Sequence, residues 1–527
     1  MSTSTAMPDY LDPDSSAKRS RLPWILVIVG LVAAVVIGGG ALAVRAMMGS
    51  GSDQPSSAMP STVAAYAQID IDPSVGQKVA ALQFFDGLDT EELEEMRDGK
   101  GREALFGWIS EEDNGALGDM NYEEDVKPWL GDRAGVGVLP GATADDLVPV
   151  VAIQVKDEAA ATSFLDRLMA PEEGSDEVDY FFRGDYVVFS QTSDLEGVKM
   201  ALDAGTLADS AEFSDDMAAI GDQGIVSMWA NLPAFQELSN SMSEELGATM
   251  SEFSDGTPFI DGEAKLEGRM AGTLRFDKEA IELYAAAFDA GGEKIEGGDS
   301  AHLISTLPAD TTTAFSFEHG DQYVDQIWTL LNEAYPDDVA EAQQMAADEG
   351  FALPDDIKTM LGNSAVFSTG ADLATIDETL NGEGDSADIP SIGYQASTDS
   401  AAAVALVDKI MALGGEEELA AEGIDLPYGA EGDTFIITSN QSYYDALKNG
   451  GDLSSDRDFT VAVPDADAAD AAGYINLNAF EPLYLEEFEA GQERDMAKTM
   501  AAIGMRTTSD DEGGATFSLR LVFDEKE

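Results

Sequence analysis

The longest apolar run is WILVIVGLVAAVVIGGGALAV, Trp24 to Val44, and it holds no charge. At 1.5 Å rise per helical residue it spans a hydrocarbon core of about 30 Å. A cleaved secretory signal is the alternative, because Ala41-Leu42-Ala43 has a small-x-small cleavage pattern. The run exceeds the usual h-region of about 7–15 residues, which favours an uncleaved anchor over residues 22–48. Lys18, Arg19 and Arg21 precede it and only Arg45 follows closely, so the N-terminus is expected in the cytoplasm and the bulk outside. The Ser-, Asp- and Pro-rich residues 1–21 read as a disordered tail, and GSGSDQPSSAMP as a flexible linker over 49–60.

Beyond the linker the pattern switches between period two and helical spacing. AYAQIDI alternates like a strand, and SVGQKVAALQFF follows with helical spacing. AGVGVL, PVVAIQV, YFFRG and YVVFSQ are short, rich in β-branched and aromatic residues, and bounded by turn formers. Arg183-Gly184-Asp185 reads as a hairpin turn with glycine supplying positive φ. Helices fit AAATSFLDRLM, LEGVKMAL and PAFQELSNSM. The mixture predicts an α+β fold, with a separate antiparallel sheet in each half of the chain and helices packed on one face. The order PVVAIQV, helix, YFFRG, YVVFSQ, helix, VSMWANL is that of a split βαβ unit.

The same series of patterns occurs twice. Asp72, Val75 and Gln77 recur as Asp321, Val324 and Gln326; EDVKPWLGDRAGVGV from Glu124 is echoed by DDIKTMLGNSAVFST from Asp355. VPVVAIQV from Val148 parallels IPSIGYQA from Ile389, and AAATSFLDRLM from Ala159 parallels AAAVALVDKIM from Ala401. Gly184-Asp185 answers Gly432-Asp433, Asn231 to Phe235 answers Asn476 to Phe480, and LRFDKE at Leu274 resembles LVFDEKE at Leu521. Seven matches in one order predict two homologous extracytoplasmic repeats, 61–290 and 291–527, with Gly131 on Gly362 and Asn231 on Asn476.

The stretch Tyr66 to Pro73 leading into VGQKVAALQFF, followed by PWLGDRAGVGVLPG from Pro128 to Gly141, resembles the domain-of-unknown-function 3352 family (DUF3352). These are membrane-anchored exported proteins frequent in actinobacteria. The resemblance extends over nearly all of the chain after the anchor. It implies location and architecture and supplies no activity, ligand or catalytic residue. In the second copy Trp129 and Arg133 become Met360 and Ser364.

Charge then narrows the functional classes. The 527 residues carry 102 Asp+Glu, 28 Lys+Arg, two His and no Cys. Residues 1–48 hold four basic and three acidic groups, so residues 49–527 hold 24 basic and 99 acidic ones, a net −75. Such a polyanion repels nucleic acid and anionic lipid headgroups. Lacking cysteine, it has no disulfide, thiolate metal site or Cys nucleophile. No GxSxG elbow, HExxH, Walker A or dinucleotide fingerprint is present.

Arg133 can be read as a clamp for a carboxylate ligand or as a structural ion pair; the acidic surroundings favour the pair. His302, near Asp299 and Ser300, and His319, at a strand end where the first copy has Asp70, lack the spacing of a catalytic triad. The clusters Glu111-Glu112-Asp113, Asp215-Asp216, Asp355-Asp356 and Asp510-Asp511-Glu512 lack the EF-hand pattern and read as solvated surface. No catalytic, cofactor-binding or metal residue is therefore assigned, and no cofactor is expected. The sequence points to a non-enzymatic, single-pass membrane protein that binds an envelope component or small ligand, with the cleft between repeats as its default site. The alternatives are a hydrolase using an Asp/Glu pair in that cleft, and a cation-binding or salt-adapted surface protein.

The charge generates one prediction. Carboxylates this dense lie within a Debye length of each other, about 8 Å at physiological ionic strength, so salt relieves their repulsion. The melting temperature is expected to rise from low salt to about 0.5 M NaCl, most at pH 7 and least near pH 4, where carboxylates take up protons. At equal ionic strength Ca²⁺ should act as Mg²⁺ does; a further saturable gain with Ca²⁺ would reveal a convergent site. A melting temperature flat across salt would refute the electrostatic reading.

Overall fold

The structure, a computed structural model, describes residues 54–70, 121–140, 147–169, 178–236, 266–277, 279–291, 302–372, 390–415, 426–485, 497–509 and 513–524, with scattered residues at 74–80 and 488–494. The anchor, the tail, Asp72, Val75, Asp299, Ser300 and two acidic clusters (Glu111 to Asp113, Asp510 to Glu512) lie outside the described residues. Among those described, no helix is long and apolar enough to cross a membrane.

The first eight strands are β1 (Ala65–Asp70), β2 (Leu130–Pro140), β3 (Leu147–Val155), β4 (Val178–Arg183), β5 (Tyr186–Gln191), β6 (Val226–Asn231), β7 (Arg269–Phe276) and β8 (Ala280–Phe288). The next eight are β9 (Thr313–Glu318), β10 (Ser364–Thr369), β11 (Ile392–Ser397), β12 (Tyr428–Glu431), β13 (Thr434–Thr438), β14 (Ala471–Asn476), β15 (Met500–Ser509) and β16 (Ala515–Phe523). All sixteen join one sheet, ordered β12-β13-β11-β10-β9-β14-β15-β16-β8-β7-β6-β1-β2-β3-β5-β4. Every neighbouring pair is antiparallel. Two sheets were expected from the sequence. Instead β8 and β16, which would each end a separate sheet, pair from Ala280↔Val522 to Ala287↔Ala515. The pairing satisfies two rows of backbone groups that water or another chain would otherwise have to meet.

Read inward from either edge, the strand order obeys one rule: β4-β5-β3-β2-β1-β6-β7-β8 on one side, β12-β13-β11-β10-β9-β14-β15-β16 on the other. The split unit is present, since β5 lies between β3 and β4; β6, expected to complete it, pairs with β1 instead. Local chemistry repeats too. Asp157 and Asp399 cap helices 158–168 and 400–410 by accepting from Ala160 N–H (2.9 Å) and Ala402 N–H (3.1 Å). Asn231 and Asn476 each end a strand and accept from the N–H three residues on, at 3.0 and 3.1 Å. Gly184 and Gly432 occupy two-residue turns at φ +57° and +65°, where a Cβ is disfavoured. Gly131 lies where any Cβ would stand 2.5 Å from that of Gln154, and Gly362 is likewise pressed on Ser397.

Two of the sequence matches shift. Leu274 lies in β7 but Leu521 in β16, strands with different places in the order. Strand register sets Gln154, opposite Tyr186, against Ser397, opposite Thr434, two residues beyond the textual match with Gln395.

Toward the outer strands, helices cover both faces of the sheet, not one. Val151, Ile153, Val187 and Phe189 pack with Phe164 and Leu165 of helix 158–168. The alternate residues Val150, Ala152, Tyr186 and Val188 pack with Leu202, Phe213 and Met217 from helices 195–204 and 211–219. Strands buried on both faces read as continuous apolar runs, as VPVVAIQV and YVVFS do. The far half repeats this arrangement with Ala403 and Val407 on one face and Leu447 and Phe459 on the other. The expected linker also differs. Residues 55–58 form a 3-10 turn, and Ala58 and Met59 are fully buried against Leu207 and Trp229. The chain thus enters the core several residues before Pro60, because Met59 offers a large apolar side chain to it.

The core is also rich in phenols. Burial pushes Tyr66, Tyr394 and Tyr474 above their ordinary range, and Tyr443 up to about 12. A raised phenol keeps its proton in the folded state while the unfolded chain releases it near pH 10. Stability should therefore be intact below pH 10 and fall as pH rises from 10 toward 12. Urea midpoints at about pH 9, 10 and 11, with tyrosinate absorbance followed in parallel, test this. Equal midpoints would mean that these phenols meet water.

Candidate functional site

Arg133, the strongest candidate from the sequence, is held within the sheet. Its Nε donates to Asp70 Oδ2 at 2.9 Å across the β1–β2 register, and both residues are buried. The ion-pair reading is the one this geometry fits. In the far half the same register position pairs Ser364 with Glu318, whose Oε1 accepts from the Ser364 hydroxyl at 2.9 Å. Glu318, and not His319, thus stands where the first half has Asp70. His319 follows in the left-handed region at φ +57°, buried, at the start of helix 320–334. His302 has φ +47° and precedes the 3-10 turn 303–306, a different element from the helix that His319 opens. Among the described residues, Nδ1 of each histidine has no hydrogen-bond partner.

The acidic clusters divide. Asp355 and Asp356 open helix 355–361, with Asp356 accepting from Ala352 N–H at 2.7 Å. Asp216, expected on a solvated surface, is buried instead. Its Oδ2 accepts from Trp229 Nε1 at 2.9 Å and Arg269 Nε at 2.8 Å, and Oδ1 accepts from Arg269 Nη2 at 3.2 Å. The carboxylate holds Arg269 more firmly protonated than usual, through that hydrogen bonding against an opposing desolvation. Among the described residues, no group of three His, Cys, Asp or Glu is placed to hold a metal ion.

A second buried charge cluster bridges the β8–β16 seam and was not singled out from the sequence. Glu282 Oε2 accepts from Arg275 Nε at 2.6 Å, while Oε1 accepts from Ser518 at 2.7 Å and lies 3.7 Å from Arg520 Nε. Arg520 also pairs with Asp277 and donates to the Val461 carbonyl. Glu282 and Arg520 face each other in register. The available signal was a charged residue flanked by apolar ones inside a strand, in AIELY and FSLRLVF. On a covered face, such a charge needs an internal partner.

The third feature is apolar. Direct cross-strand pairs link Tyr394, Phe367, Phe315, Gly473, Met505, Leu519, Leu283 and Leu274 into one row over β11, β10, β9, β14, β15, β16, β8 and β7. Paired residues in antiparallel strands share a face. On this face Phe315 is 42 % exposed and Phe367 48 %, with Leu274, Ile475 and Leu519 also exposed. Contiguous exposed apolar surface of this kind commonly marks a site of interaction.

The seam cluster yields a stability prediction. Glu282→Ala leaves the guanidinium groups of Arg275 and Arg520 without their shared carboxylate, a loss expected to cost about 3–5 kcal/mol. Asp203→Ala removes the exposed partner of Arg183 and should cost at most about 1 kcal/mol. Denaturant titration measures both. Equal small losses would show that water reaches Glu282 and screens it.

No curated protein matches the chain. Among solved structures, crystal form III of TP0453 is similar at 11 % identity and a TM-score of 0.23, covering 47 % of this chain and 84 % of that one. Crystal form I of TP0453 gives 11 % identity, a TM-score of 0.22, and coverage of 47 % and 82 %. Likeness at this level carries no inference about fold or function. The family match reaches residue 246, short of the near-complete span expected from the resemblance. Residues 25–246, which include the PWLGDRAGVGVLP stretch, match the family described as "Protein of unknown function (DUF3352)".

Proposed function

We propose that this chain is a single-pass, membrane-anchored extracytoplasmic protein that binds an apolar ligand or envelope component without catalysing a reaction. The uncharged run from Trp24 to Val44 and the preceding Lys18, Arg19 and Arg21 support the anchor and its orientation. The repeated strand order, the paired Asp and Asn caps and the paired Gly turns support descent of the folded part from one duplicated α+β unit. The observation that carries the binding reading is the exposed row through Phe315, Phe367 and Leu519. Its place differs from the cleft expected between repeats, because a hydrogen-bonded ladder occupies that junction. Against the hydrolase alternative stand Asp216 and Glu282, both buried, with their carboxylate oxygens already engaged by Trp229 and Arg269 and by Arg275 and Ser518.

A photoreactive phenylalanine analogue at position 367 in intact cells tests the proposal, with the same analogue at the exposed Glu212 as control. Irradiation should give an adduct at 367 and none at 212, on a fragment that protease added outside the cells releases. No adduct beyond the control would refute the binding site. Protection of the fragment from external protease would refute the orientation.

A further inference from the structure

The seam joins two inner edges and leaves two outer ones, β4 and β12, and these are built differently. β12 has four residues, follows Pro427, which lacks an N–H, and ends at Glu431, which pairs with Lys448. Short length, proline and charge are the usual ways of blunting an edge. β4 has six residues, Val178-Asp179-Tyr180-Phe181-Phe182-Arg183, and no proline. Among the described residues nothing pairs with its outer side.

Its hydrogen-bonding direction follows from the turn. Arg183 and Tyr186 close the two-residue turn Gly184-Asp185, so Arg183, Phe181 and Asp179 direct their backbone groups toward β5. Val178, Tyr180 and Phe182 then direct theirs outward. Consistent with this, the N–H of Tyr180 is met by its neighbour's carboxylate, Asp179 Oδ1, at 2.8 Å.

We propose that β4 pairs with β4 of a second copy of this chain, antiparallel and centred on Phe181, to give a two-fold dimer with a continuous sheet. The centre is set by charge. Only about Phe181 does each Asp179 fall opposite the other copy's Arg183. In the same register Tyr180 and Phe182 of opposite copies exchange their outward backbone hydrogen bonds, the Tyr180 N–H passing from Asp179 Oδ1 to the other copy's Phe182 carbonyl and releasing that carboxylate for Arg183, and the two Phe181 side chains meet on the axis. Arg183 uses Nη1 for Asp203 and Nη2 for the Leu202 carbonyl, which leaves Nε–H for Asp179 of the second copy. The seam already uses the same device within the chain, where Arg520 and Glu282 face each other across two joined edges. The β12 edge, with Glu431 where β4 has Arg183, has no such self-complementary register.

The full-length protein in neutral detergent tests this. It has no cysteine, so Phe181→Cys introduces a single thiol on the two-fold axis. Mild oxidation should convert this variant to a disulfide-linked dimer of twice 55.7 kDa on non-reducing gels, while Gly429→Cys stays monomeric. Asp179→Arg and Arg183→Asp should each sediment as monomers. Mixed together they should dimerise, because each then supplies the charge the other needs. A Phe181→Cys variant that does not cross-link, single variants that remain dimeric, or a mixture that stays monomeric would each overturn the proposal. Cross-linking between Phe181→Cys and Gly429→Cys would overturn the two-fold arrangement in favour of head-to-tail pairing.

Discussion

The rest of the sheet depends on the ladder between β8 and β16. Without it, each set of eight strands would end on a nine-residue strand whose N–H and C=O groups face no partner. The ladder supplies those partners over eight residue pairs. It also decides where buried charge can be placed. Glu282 and Arg520 oppose each other across it, and Arg275 and Ser518 complete the carboxylate's hydrogen bonds. A buried carboxylate with a charged partner and further donors is tolerable; one without them is costly. Strand pairing and charge placement are therefore one constraint seen twice.

Much of the local structure was legible in the sequence, because local structure answers to local chemistry. Period-two runs became strands and Gly184 turned a hairpin, features that depend on a few consecutive residues. The union of all strands into one sheet was not legible, since periodicity says which residues pair with a sheet but not which strand supplies the neighbour. Helices on the second face were missed although the continuous apolar runs of β3 and β5 signalled double burial. The pairing of LRFDKE with LVFDEKE misled for a related reason. An apolar strand ending in Phe-Asp ends many strands alike, so the similarity records a kind of strand end and not a place in the order.

Site residues were legible only where a motif set them in context. Arg133 stood out in PWLGDRAGVGVLP, and the pairing with Asp70 follows from β1 lying beside β2. Asp216 was hidden in an acidic background. One residue in a pair of aspartates, it looks like its neighbour Asp215 until helix 211–219 turns it toward Trp229 and Arg269. Composition gives no warning of this, because 102 acidic residues make any single one look ordinary. The better signal was scarcity. With only 28 basic residues, an arginine inside a strand is a signal for a specific carboxylate: Arg133, Arg269, Arg275 and Arg520 each have one, while Arg506 of β15 leaves its buried Nε without a partner.

That economy bears on what the acidic surface is for. If the charge served solubility alone, the open sheet face would be the natural place for more of it, since polar side chains there would cost no core packing. Instead Phe367 and Phe315, then Met505 and Leu519 beyond Gly473, form one row across the strands, with Phe367 stacked near Tyr394 at 4.6 Å between ring centroids. Each apolar side chain left in water forgoes roughly 1.5–3 kcal/mol that burial would return. A chain that is acidic at about one residue in five, yet keeps aromatic residues together on one exposed face, is spending stability on that face. Surrounding negative charge would then keep such a face from gathering nonspecific polyanions and anionic lipid, while leaving it open to a neutral apolar partner. Under the proposed binding role the two features are complementary: charge would exclude most partners, and the apolar row would select among the remainder.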